Sequence, residues 1–333
     1  KEAKCAEEID ATGLNVCPGF IDLHTHYDAQ LFWDPYLTMS GWHGITSVIV
    51  GNCGFGYAPV RPEERVRAMQ TLERNEAIPY EAQAAGMPWD WESYPEMLDS
   101  IDRTPKGLNI MSYFGIAPCM VYYMGLENAR KRPASPDEME KMKQCLREAM
   151  EAGACGFSVQ KAGKFSAQRD FDGEPMCTDT MSNEDLYSFG SVLSEFGRGF
   201  IQVAGPSMKS CENLAKSSGR PILYNAVAPA TDQHGSPLEQ HTILLKWLER
   251  TNQQGLRIFG QAIAQDADLT FSLDNFNLFD IYPEWKDVTV GSVPERIAKM
   301  QAPKTRQALI DLQDAGRGPL AAVNTSMDGN RDL

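Results

Sequence analysis

Positive charge is what this sequence has least of: 31 Lys and Arg stand against 45 Asp and Glu, a formal net charge of −14. Clustered Lys and Arg are what neutralise phosphates, so the balance argues against a nucleic-acid partner and against an anionic membrane surface. Long apolar runs are missing too. The longest, such as Ile45–Val50, are strand-sized, far below the roughly 20 residues of a spanning helix. The opening stretch KEAKCAEEIDATGLNVCPGF has no apolar targeting core. The eight cysteines are scattered and form no C-x-x-C pair, which in a chain this long excludes a disulfide framework and points to a reducing, cytoplasmic setting. No G-x-G-x-x-G or P-loop follows any apolar run, which weakens an open-sheet nucleotide binder. An initiator Met is also lacking, since the chain begins at Lys1.

What is present is a repeated strand-then-helix rhythm. Strand-like runs are expected at Val16–Leu23, Ile45–Val50, Leu108–Phe114, Ala154–Val159, Gly199–Ala204, Pro221–Val227 and Leu256–Ile263. The clearest helix is Ser135–Ala152. Ser135 and Glu138 form a capping box, Pro136 takes the first helical position, and Gly153 closes the end. Met139, Met142, Leu146 and Met150 make one apolar stripe. Asn183–Glu195, Leu238–Arg250 and Val293–Met300 are weaker versions. Strands alternating with amphipathic helices imply an α/β fold with parallel pairing, and a (β/α)8 TIM-type barrel is its natural completion. Glu63–Asp102, rich in charge, Pro and Trp, is expected to be an inserted loop and helix region above one end of the sheet.

The segment PGFIDLHTHYDAQLFWDP (Pro18–Pro35) carries the chemistry. Side chains alternate along a strand, so Asp22, His24, His26 and Asp28 would share one face. Two histidines two residues apart at a strand's C-terminal end can approach one metal ion, and in a parallel barrel that end holds the active site. Cys53, in Gly-Asn-Cys-Gly, is on its own residues equally a ligand or a buried thiol in a tight turn.

The runs PGFIDLHTH and GITSVIVGNCG (Gly44–Gly54) resemble the amidohydrolase superfamily, and more narrowly its N-acyl-D-amino-acid deacylase, or D-aminoacylase, branch. The similarity continues through MPWDWESYPEML (Met87–Leu98) and Arg132–Ser158. The resemblance implies a barrel flanked by a small β domain, with residues 1–17 its remnant and residues 18–333 the hydrolase barrel. It implies divalent metal, usually zinc, one ion or two, held by His24, His26 and Cys53. It also implies hydrolysis of the non-peptide amide C–N bond of an N-acyl amino acid or similar small acylated amine.

The chain departs from that pattern at three places. The branch has metal-binding histidines at the ends of strands 5 and 6, where this chain places Gln202 and Asn225. These carboxamides either hydrogen-bond the substrate or simply cap strand ends. Lys161, after strand 4, is offset from the lysine that bridges two metals in related enzymes; it is expected to be solvated or to bind a substrate carboxylate. Arg169, in the polar loop Gln168–Asp179, either clamps a carboxylate or pairs with Asp170 or Asp172. His43, His234 and His241 are not expected to repair the ligand set. The general base, an Asp on strand 8, has no counterpart, and Asp328 has no strand before it. The expectation is therefore an incomplete barrel of about seven strands, a fragment inactive by itself. The competing expectation is a catalytically degenerate binding or assembly protein on the same fold.

Overall fold

The computed structural model describes residues 6–164, 166, 168–231, 236–262 and 282–314. Its strands are β1 (Phe20–Asp22), β2 (Ile45–Val50), β3 (Asn109–Ser112), β4 (Phe114–Gly115), β5 (Gly156–Gln160), β6 (Phe200–Ala204), β7 (Ile222–Val227), β8 (Ala230–Thr231), β9 (Pro237–Leu238) and β10 (Ile258–Ala262). The helices that position the site are α1 (Thr38–Trp42), α2 (Arg65–Glu76), α3 (Tyr80–Gly86), α4 (Tyr94–Arg103), α5 (Ile116–Met124), α6 (Leu126–Lys131), α7 (Pro136–Ala152), α8 (Asn183–Phe196), α9 (Met208–Ser218) and α10 (Gln240–Gln253). Three more, Pro283–Thr289, Val293–Gln301 and Pro303–Asp314, follow.

Local chemistry sets α7 as its sequence requires. Ser135 Oγ accepts from the Glu138 N–H, and Glu138 accepts in return from the Ser135 N–H at 2.8 Å. Met142, Leu146 and Met150 are fully buried, and each contributes roughly 1.5–3 kcal/mol by leaving water. Residues 63–102 fold into α2, α3 and α4, the helical insertion that the sequence implied.

Strands pair in chain order. One sheet runs β1-β2-β3 and the other β4-β5-β6-β7-β10, all ladders within them being parallel. No closed barrel is found among the described residues. The extended run at 108–114 breaks at Tyr113, so β3 pairs with β2 while β4 pairs with β5. Backbone bonds still carry the wall across that break, from Cys155 N–H to the Ser112 carbonyl at 3.0 Å and from Tyr113 N–H to the Val50 carbonyl at 2.9 Å. The opening lies between β10 and β1, which share no ladder. There Phe20 and Ile21 remain 66% and 56% exposed. What results is a mixed α/β fold with two parallel sheets. Residues 6–19 form no strand. Among the described residues, no helix is long and apolar enough to cross a membrane.

The core sits between the second sheet and its helices. Phe157, Val159, Ile201 and Val203 from β5 and β6 meet Phe189, Val192 and Leu193 of α8, all fully buried. This leaves the C-terminal ends of β1, β2, β5, β6, β7 and β10 free to carry polar side chains at one edge.

Candidate metal centre

Strand β1 ends at Asp22, before either histidine of the expected face, and the chain continues through His24 and His26 outside any regular element. Cys53 arrives from the end of β2 on a tight turn, Asn52–Gly54. His24, His26 and Cys53 each offer a ligand atom, and these atoms lie within 4.8 Å of one another. Cys53 Sγ is 3.3 Å from His24 Nε2. The other ring nitrogen of His24, Nδ1, lies 3.3 Å from Gln261 Oε1 of β10, an orientation device common behind metal-binding imidazoles.

The turn is held against its own conformational cost. Cys53 adopts a left-handed φ of 56°, disfavoured for a side-chain-bearing residue by about 1 kcal/mol or more. Gly51 has φ +78°, and a methyl there would sit 2.5 Å from the Tyr113 carbonyl oxygen. Four hydrogen bonds fix the strained segment. Cys53 N–H donates to Gln202 Oε1 at 2.8 Å, and Gly54 N–H donates to Ser158 Oγ at 2.9 Å. Asn52 Nδ2 donates to the Thr25 and Ile49 carbonyls at 3.1 and 2.9 Å. Because Thr25 lies between the two histidines, Asn52 couples the cysteine turn directly to the His-Thr-His segment.

Burial controls the protonation of these groups. It pulls His24 below the ordinary imidazole value, against the Gln261 hydrogen bond, and takes His26 down to about 3 with help from His24. Both rings are therefore neutral near pH 7, the form that ligates metal. Burial, together with the charges of Glu76, Asp28 and Asp179, raises the Cys53 thiol. A bound cation reverses that last effect, because a coordinating thiol loses its proton. Two soft-to-borderline nitrogens and a sulfur within one ion's reach suit zinc, so the donor set fits such a metal.

Three carboxyl groups surround this trio, Asp28 and Asp179 buried and Glu76 partly so; strand alternation had put Asp28 on the face of the two histidines, whereas Glu76 and Asp179 were not singled out. Glu76, the last residue of α2, places Oε1 3.5 Å from His26 Nε2. Gln168 Nε2 donates to the same oxygen at 2.9 Å. Asp28 is buried, with Oδ2 lacking a partner. Asp179 accepts from Gln160 Nε2 at 2.9 Å and from the Ala162 N–H at 2.8 Å. No sequence signal pointed to Glu76, since it stands 50 positions after His26 and ends an otherwise charged helix.

The remaining expected residues are distributed around the trio. Gln202 is fully buried and spends its carbonyl on the Cys53 backbone. Asn225 lies half-buried on β7, in register with Ala204 of β6 and Gln261 of β10. Lys161 and Arg169 gather on Asp179. Burial lowers the Lys161 amine, opposed by the Asp179 charge, and burial raises Asp179 to about 7, opposed by its hydrogen bonds to Gln160 and Ala162 and by the Arg169 charge. Arg169 is buried, and Asn75 bonds both its backbone groups, N–H at 2.8 Å and carbonyl at 2.6 Å. Asp170 is held by Arg67 and Arg130, and Asp172 by Arg130. His43 is exposed at the end of α1, and His241 is half-buried on α10. His234 and Asp328 lie outside the described residues.

The carboxyl cluster gives the metal-free protein a defined pH response. Burial pushes Asp28 up to about 7 and Glu76 up to about 8 from ordinary values of 3.8 and 4.5. The folded chain thus holds protons that the unfolded chain has released, so stability falls as pH rises through that interval. His26 acts in the opposite direction, but only between about 3 and 6.5. In a chelator, the thermal midpoint is therefore expected to drop from pH 6.5 to pH 8.5; a rising midpoint over that window would contradict the arrangement.

A family model described as amidohydrolase family matches residues 7–329. An uncharacterized protein of Mycobacterium tuberculosis is 38% identical over 165 residues, 48% of this chain and 26% of that protein. A D-aminoacylase of Alcaligenes xylosoxydans xylosoxydans is 32% identical over 162 residues, 47% of this chain and 30% of the enzyme. The matched stretch thus spans less than a third of these relatives' length. Among solved structures, D-aminoacylase superposes with a TM-score of 0.56 at 19% identity, over 74% of this chain and 48% of that one. N-acyl-D-glutamate deacylase from Bordetella bronchiseptica, complexed with zinc and a phosphonate inhibitor, gives 0.55 at 20% identity, over 72% and 46%. These two likenesses place the parallel sheets in the D-aminoacylase fold. With its histidine pair and cysteine turn at adjoining strand ends and the family model matched along nearly its whole length, the chain belongs to the amidohydrolase family, on the D-aminoacylase branch.

Proposed function

We propose that this protein is a metal-dependent hydrolase of the amide C–N bond in an N-acyl amino acid, with a D-configured amine as the first candidate. The observation that carries this reading is the convergence of His24, His26 and Cys53 from two adjacent strand ends. The names of the D-aminoacylase and N-acyl-D-glutamate deacylase relatives supply the substrate class.

His24, His26 and Cys53 would hold one zinc ion. When bound, such an ion polarises a carbonyl and makes water acidic near neutral pH. Gln261 keeps His24 in a single ring orientation, and Gln202 fixes the Cys53 turn from beneath. Because Gln202 is committed to that turn, a second metal has no ligand from β6, which favours one ion over two. Lys161 and Arg169, grouped on Asp179, offer positive charge for a substrate carboxylate, and Asn225 offers an amide at the adjoining strand end. Residues 18–333 form the hydrolase unit in this reading, and residues 1–17 belong to a separate β element. The general base is assigned to no described residue.

Metal analysis tests the proposal. About one zinc per chain is expected after expression with zinc, and almost none in His24→Ala with the fold intact by circular dichroism. A wild-type chain that folds and carries no metal would remove the hydrolase reading and favour the binding or assembly role.

A further inference from the structure

We infer that Glu76, contributed by the helical insertion, is a further donor to the metal ion held by His24, His26 and Cys53. The inference rests on the metal-centre reading above and extends it to a residue outside the barrel strands.

The geometry supports it in three ways. Adjacent donors on a tetrahedral zinc ion, with bonds of about 2.0–2.3 Å, lie roughly 3.3–3.6 Å apart. The His24 Nε2 to Cys53 Sγ separation is 3.3 Å, and the His26 Nε2 to Glu76 Oε1 separation is 3.5 Å. Both are lengths of a polyhedron edge, and the second is at the outer limit for a hydrogen bond. Glu76 meets the trio at His26 and lies outside the set of ligand atoms within 4.8 Å of one another; a turn of its side chain toward the ion would add an oxygen where the chain otherwise supplies only nitrogen and sulfur.

The surroundings hold Glu76 in place. Gln168 Nε2 donates to Oε1 at 2.9 Å, which fixes the carboxylate while leaving lone pairs on both oxygens. The preceding residue, Asn75, is tied to both backbone groups of Arg169. One turn and about two turns further back, Thr71 and Arg67 bind the buried Asp170. Three successive attachments therefore dock the C-terminal half of α2 onto the loop after β5. A helix pinned so firmly at its last residues, with its final carboxylate turned inward onto a metal-binding histidine, is built as part of the centre.

Cobalt(II) binding by the chelator-treated chain tests the assignment, since its visible spectrum reports donor number and its sulfur charge-transfer band reports Cys53. Glu76→Gln keeps the size and the Gln168 contact. It is expected to weaken cobalt binding by roughly 10- to 100-fold and to change the d–d bands while keeping the sulfur band. Unaltered affinity and spectrum in Glu76→Gln, with binding abolished in His24→Ala, would overturn the role of Glu76 and leave the metal centre standing. No cobalt uptake by the wild-type chain would remove both. A second measurement needs no variant to fold. With ¹³C-carboxylate-labelled glutamate, the wild-type infrared difference spectrum on cobalt addition should contain a shifted glutamate band; its absence overturns the assignment.

Discussion

Replacing Asp170 with alanine is expected to destabilise the protein by about 3–5 kcal/mol, because it leaves buried guanidinium groups without their counter-charge. The Asp170 side chain is 1% exposed. Arg67 Nη1 donates to both its oxygens at 2.9 and 3.0 Å, Arg130 Nη2 reaches it at 2.9 Å, and Thr71 Oγ1 donates at 2.6 Å. Its own backbone N–H is bonded to the Glu174 carbonyl at 2.9 Å. Exposed ion pairs elsewhere, such as Lys131–Glu127 with both side chains more than 70% exposed, are worth little by comparison. Asp170 also sits where α2 meets the loop after β5, so its loss should weaken metal binding together with stability. Urea unfolding of Asp170→Ala and Lys131→Ala, side by side, checks the contrast. A loss below about 1 kcal/mol for Asp170→Ala would mean that the network is not a structural clamp.

The second large effect is expected from Gly156→Ala in β5. Gly156 has φ +145°, and an added methyl carbon would lie 1.7 Å from the Phe200 carbonyl oxygen. That oxygen belongs to the neighbouring strand, in register with Gly156, so it cannot rotate away as a flexible side chain would. Relief requires β5 and β6 to separate. Ser158 and Gln202, which face each other across this ladder and together hold the Cys53 turn, would shift with them. A cost above about 4 kcal/mol is expected, in the range reserved for disrupted cores, with loss of zinc from whatever protein folds. Gly153→Ala is the control, since nothing lies within 4 Å of its added methyl. Equal stability of the two variants would refute the argument.

Much of the architecture was legible in the chain because its signals are local. Alternating apolar runs marked each main parallel strand to within a few residues, and the Ser135–Glu138 capping box marked α7 to the residue. The histidine pair was legible from its two-residue spacing, whereas Cys53 joined it only through the family resemblance, its own residues leaving a ligand and a buried thiol equally open. What stayed hidden depends on packing between distant segments. Glu76 comes to His26 only because Asn75 and Arg67 dock α2 on a loop nearly a hundred positions later. Gln202 reads as a strand-end polar residue, yet its carbonyl is spent on a backbone N–H 149 positions away. The break at Tyr113, which divides the wall into two sheets, has no compositional mark at all.

The contact between His24 and Gln261 spans 237 positions, and it bridges the opening between β10 and β1, which share no ladder. Contacts of that range form only after the intervening chain has been gathered, which makes them slow to acquire. By the same argument the ring orientation of His24 and the Cys53 turn, which Ser158 and Gln202 hold from 104 and 149 positions away, are expected to be late events in folding, whereas the neighbouring strands β1 and β2 can pair early. Ion uptake then serves as a clock for assembly: a chain whose β10 has not arrived presents a thiol and two unfixed imidazoles, and only the gathered chain presents a centre. An ion that favours the gathered form stabilises it by mass action, so a metal held at this centre would raise the share of chains that stay folded.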